Sequence, residues 1–188
     1  MLVAILDWTK AKLKNFDTLS DKDREPNEKH GLQMAFSNIT KPASDMEMLD
    51  PTLRAFLLET RDDKKQGDLA GMESEVLTKA GSYIGTISWQ QEWTGYTLII
   101  DYGAGGKSNI ELTDCKVHGL KFKPKDGSME ITRLIIESPN ATEKIIGKVG
   151  VLKSTEVTIK LLPPVVTQED LVGQPPAQQP KKPGKSGD

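Results

Sequence analysis

The residues of this chain whose types and spacing could do chemistry fall into four groups. Residues 103–108 read GAGGKS, a glycine-rich run ending in lysine and serine, of the kind that cradles phosphates. Cys115 and His118 stand in a C-x-x-H spacing, a pattern for metal ligation or for a thiolate–imidazole pair. Carboxylates pair at Asp62 with Asp63 and at Glu73 with Glu75. Lys10, Lys12 and Lys14 alternate just after Trp8, and Lys121, Lys123 and Lys125 repeat the alternation.

Context weakens the first three. A P-loop needs glycine five positions before Gly106, where this chain has Asp101, and a helix after the loop whose amides hold the phosphates. Asn109-Ile110-Glu111-Leu112 reads as a strand instead, so a glycine-rich hairpin loop is expected. Structural zinc takes four protein ligands, and His30 is the one other histidine. Residues three apart on a flat strand point to opposite faces, which separates Cys115 from His118 unless a bulge intervenes. A half-buried strand cysteine is the better reading. The paired carboxylates lie in polar sequence close to lysines and read as solvated charge. No catalytic set converges, no metal and no cofactor is expected, and the chain reads as a non-enzyme.

The lysine rows remain. On neighbouring strands they would line a groove beside an aromatic, with Lys10, Lys12, Lys14, Lys121 and Lys123 on the phosphates of a single-stranded nucleic acid. The competing reading is that lysines blunt exposed sheet faces and edges. Trp89 and Trp93 share their parity with Ile87 and are expected in the core rather than as stacking platforms.

These groups must be positioned by a chain of 188 residues with a net charge of −2, which argues against a broad grip on duplex DNA. The one cysteine excludes an internal disulfide framework, and the short apolar run at residues 1–6 lacks a basic leader. No run approaches the roughly 20 apolar residues of a membrane helix. A cytoplasmic protein with no membrane partner is expected.

Alternation marks the elements. Residues 2–16 predict a strand, and 31–39 a half-buried one with Leu32, Met34 and Phe36 inward. Ser44 with Glu47 fits a capping box, and Asp50-Pro51 an N-cap and first turn, so 44–59 predicts one kinked helix or two short ones. Residues 60–72 read as a loop. The segment 84–102 predicts a hairpin turning at Thr94-Gly95, pairing Trp93 with Tyr96 and Trp89 with Ile100. Residues 108–124 predict a strand whose inward parity switches at Gly119, followed by an Asp126-Gly127 turn. Residues 129–137 are apolar on both parities, as in a central strand. Asn140 with Glu143 opens a short helix, and 155–162 alternates again.

Together these predict a mainly β protein, an antiparallel β-sandwich or partly open barrel with one or two short helices. Residues 1–163 are expected to form a single β-rich domain, and 164–188, rich in Pro, Gln and Lys, a disordered tail.

The stretch 94–131, GYTLIIDYGAGGKSNIELTDCKVHGLKFKPKDGSMEI in its main part, resembles a family of uncharacterised bacteriophage and prophage proteins. The helix LDPTLRAFLLE and the closing GKVGVLKSTEVTIKLLPP are also similar, so the likeness covers most of 45–164. It implies a small early-region phage product, a context of DNA recombination, and the host cytoplasm as its compartment. It implies no catalytic residues. The expected function is that of a phage accessory protein binding single-stranded nucleic acid or a recombination or replication partner. Two alternatives stand beside it: a structural or adaptor protein of the virion, which could form homo-oligomers, and an inhibitor of a host defence protein.

Overall fold

The computed structural model describes residues 6–19, 30–62, 73–103 and 108–164. The chain opens with strands β1 (Leu6–Leu19), β2 (His30–Ser37) and β3 (Ile39–Pro42). A 3-10 turn (Ala43–Asp45) leads into helices α1 (Met46–Leu49) and α2 (Leu53–Leu57). Strands β4 (Leu58–Asp62) and β5 (Glu73–Leu77) follow, then helix α3 (Lys79–Tyr83) and strands β6 (Ile87–Ser88), β7 (Trp93–Ile100), β8 (Ile110–Lys125) and β9 (Ser128–Ala141). Helix α4 (Glu143–Val151) and strand β10 (Glu156–Leu162) complete it.

Among the described residues, six strands close a ring in the order β1, β2, β9, β8, β7, β10 and back to β1, with every pair antiparallel. The protein is thus mainly β, and its barrel is closed rather than partly open. β3 adds to β9, β6 adds to β8, and β4 with β5 forms a separate two-stranded sheet.

Closure depends on β8 and β9, which are long enough to serve several partners. The first half of β8 pairs with β7 and its second half with β9. Two irregularities bend it, at Asp114 (φ 55°) and Gly119 (φ 61°). They keep Leu112, Cys115, Val117, Leu120 and Phe122 all inward although their parity changes twice. Gly119 is required twice over. Its φ lies in the left-handed region, and a Cβ there would stand 2.9 Å from Ile135 Cδ1. The expected parity switch at Gly119 and the turn at Asp126-Gly127 are both present.

The hairpin predicted at 84–102 does not form. β7 runs straight through Thr94-Gly95, with Trp93 opposite Val117 and Tyr96 opposite Cys115. Gly95 (φ 79°) makes a bulge rather than a turn. The upstream half became β6, which pairs with β8 at Phe122 and Lys121, while Trp89 N donates to Leu120 O. The apolar pattern reported a shared face, and β8 supplies the partner for both halves. Trp93, Tyr96, Leu98 and Ile100 are buried together, and Trp89 packs half-buried against them.

Other elements shift in detail. α1 and α2 are separate, because Asp50 Oδ1 accepts from Thr52 N and Thr52 Oγ1 and breaks the helical run there. The Ser44–Glu47 box is not made; Glu47 pairs with Arg54, which also holds Glu75. Glu75 therefore lies on β5 in an ion pair and not in a solvated loop. Part of the loop predicted at 60–72 is β4; residues 63–72, with Asp63, lie outside the described residues, as does the tail from 165. α4 is capped by Thr142, whose Oγ1 accepts from Ile145 N, while Asn140 stays in β9.

Candidate nucleic-acid interface

β1 presents its lysines because both ends of its middle stretch are irregular. Register slips against β10 between Leu6 and Thr9, and against β2 between Leu13 and Asn15. In between, the strand alternates cleanly: Ala11 and Leu13 are buried in the barrel, and Lys10 and Lys12 are exposed on its outer wall. Lys14, at the second slip, is exposed too. Strand geometry spaces alternate residues by about 7 Å. That is close to the step between successive phosphates on an extended single strand.

Trp8, in the first slip, is 48 % exposed. Lys160 on β10 stands beside it, with Nζ 5.8 Å from the centre of the indole ring and 3.0 Å from Asp7 Oδ1. The hydrogen bond from Lys160 holds the Asp7 carboxyl below its ordinary pKa, helped by the backbone of Trp8. Lys160 thus fixes the segment that carries the ring. Lys10 Nζ lies 3.3 Å from Glu156 Oε1, an exposed and weak pair. Among the described residues, Lys12 and Lys14 make no ion pair.

Lys121 and Lys123 lie elsewhere. β8 is three strands from β1 in either direction round the ring, so the two rows stand on opposite walls. The expected groove between neighbouring lysine strands does not exist, because β2 and β9 separate the rows on one side and β10 and β7 on the other. On its own wall, Lys121 is half-buried, directly opposite Arg133 on β9 and Ser88 on β6. Lys123 is opposite Glu130. Glu130 in turn binds Lys125 at 2.7 Å, and Lys116 binds Glu92 at 2.8 Å, which lowers the Glu92 pKa and raises that of Lys116.

The barrel wall divides Cys115 from His118. The Cys115 thiol is fully buried and bonds to Leu112 O at 3.2 Å. Burial pushes its pKa up to about 11, so the reactive thiolate is suppressed. His118 lies outside, with Nε2 3.0 Å from Glu137 Oε1, but without hydrogen-bond alignment to it. Gln33 donates to the same carboxylate oxygen. Among the described residues, no three His, Cys, Asp or Glu side chains gather as metal ligands, and no helix is long and apolar enough to cross a membrane. Residues 104–107 of the glycine run lie outside the described residues, and β8 begins at Ile110, two residues after Ser108.

Sequence reasoning missed Lys160 and Arg133. The outward parity of Lys160 was legible beside Val157, Ile159 and Leu161, but its neighbour Trp8 was not. Arg133 was hidden in a run apolar on both parities. No family model, curated protein or solved structure matches this chain.

Proposed function

We propose that this protein is a non-enzymatic accessory protein that binds single-stranded nucleic acid along the outer face of β1. The carrying observation is the line of exposed Trp8, Lys10, Lys12 and Lys14 on one wall of a rigid barrel. The indole offers a sequence-tolerant surface to one base, and the lysines meet successive phosphates. The net charge of −2 keeps binding local and sensitive to salt. The likeness to small phage proteins supports a DNA-metabolism setting in a host cytoplasm.

Fluorescence anisotropy with labelled oligonucleotides tests this. Three lysine–phosphate contacts predict a slope of log affinity against log salt of about −2. An absence of salt-sensitive binding at micromolar protein removes the proposal.

A second reading is an adaptor that assembles with protein. The β4–β5 sheet supports it, since among the described residues these strands pair only with each other. Such edges accept an added strand. A stable ring or filament in sizing chromatography favours this reading, and a plain monomer counts against it.

A further inference from the structure

We infer that the wall formed by β8 and β9 is a second strand-binding surface, so that one barrel holds two nucleic-acid strands on opposite sides; this rests on the β1 interface proposed above. Lys121 and Arg133 are direct cross-strand partners. Like charges placed opposite each other destabilise a ladder unless an anion lies between or above them. The carboxylates nearest this row are engaged: Glu130 by Lys125, Glu92 by Lys116, and Glu137 by Gln33, while the exposed Glu111 and Asp114 lie at the other end of β8, where it pairs with β7. Lys121, Lys123 and Arg133 make no ion pair among the described residues, so they remain as local excess positive charge.

The arrangement suits a phosphate backbone. Arg133 brings a planar fork that matches a phosphate, and exposed Ser88 adds a hydroxyl beside Lys121. Lys123 lies two residues further along the same strand, repeating the alternation of Lys10 and Lys12. The slip between His118 and Lys121 turns the row outward, and at a second slip, between Lys121 and Phe122, Thr132 Oγ1 donates to Lys121 O at 3.2 Å. Because β8 stands three strands from β1 both ways, a short strand lying along one wall leaves the other wall free.

The test uses the full chain with two hexanucleotides, one carrying a donor dye and one an acceptor. Energy transfer is expected at two strands per chain and is expected to vanish in excess protein, where each strand occupies its own molecule. Lys121→Glu with Arg133→Glu should abolish transfer while leaving one strand bound per chain. Lys121→Gln with Arg133→Gln, which introduces no new charge, should weaken transfer in the same direction. One strand per chain in the unaltered protein overturns the second surface and leaves the β1 interface standing. Transfer that survives both double variants also overturns it. No binding of either strand overturns both.

Discussion

The β1 wall and the β8–β9 wall carry similar lysine spacing but differ in what surrounds it. On β1, a partly exposed tryptophan leads the row, and among the described residues the one carboxylate paired to a row lysine is Glu156, on an exposed side chain. On β8 and β9, no tryptophan leads the row, and acids stand close by: Glu92 binds Lys116 and Glu130 binds Lys125, which leaves Lys121, Lys123 and Arg133 without an ion pair among the described residues. The lesson is that lysine spacing along a strand sets which way the charges point. Their net field is set by the strands on either side, which the ladder chooses.

Both walls stand on one apolar interior, and the largest effect should come from breaking that shared support. Phe122, beneath the second wall, and Leu13, beneath the first, are each fully buried. Phe122→Ala should cost about 3–5 kcal/mol and Leu13→Ala about 2–5 kcal/mol of stability in denaturant melts. If either proves near neutral, the two walls do not share one cooperative core.

Charge reversal separates the walls. Lys10→Glu with Lys12→Glu should weaken binding at the β1 wall on the order of 100-fold at low salt and flatten its salt slope. Reversal of Lys121 and Lys123 should leave binding on the β1 wall nearly unchanged. Equal losses from both pairs would mean that one continuous path runs round the barrel.

Trp8→Ala should cost about 1–3 kcal/mol of binding, with little change in salt slope, because stacking is not ionic. Quenching of tryptophan fluorescence on binding should weaken in the same variant, since Trp89 and Trp93 are packed against the core. The smallest effect is expected from Glu156→Gln, which frees Lys10. A gain in affinity of no more than about fivefold fits the worth of an exposed ion pair.

Much of the β1 wall was legible in advance. Ala11 and Leu13 alternate with Lys10, Lys12 and Lys14, and a period of two has one physical solution when one face is buried. The apolar sets of β2 and β10 were readable for the same reason, as was the bend at Gly119. The 84–102 segment shows where such reading stops. Its parity identified Trp93, Tyr96, Leu98 and Ile100 as a buried set, but parity carries no information about which strand lies alongside. A turn at Thr94-Gly95 and a bulge at Gly95 satisfy the same pattern. β4 and β5 were missed because their residues are mostly polar, with Leu58, Val76 and Leu77 at the strand ends and no alternation to read.

The sequence by itself therefore determined the β character, the inward and outward faces, and the exposure of the first lysine row, because these follow from local alternation and turn chemistry. Only the tertiary structure decided that the ladder closes, that the two lysine rows lie on opposite walls, and that Lys160 stands over Trp8 and Arg133 opposite Lys121. Those facts depend on pairings between residues far apart in the chain, such as Leu6 with Leu161. Pairing of that range is selected by how the whole apolar set packs, which no local stretch of sequence encodes.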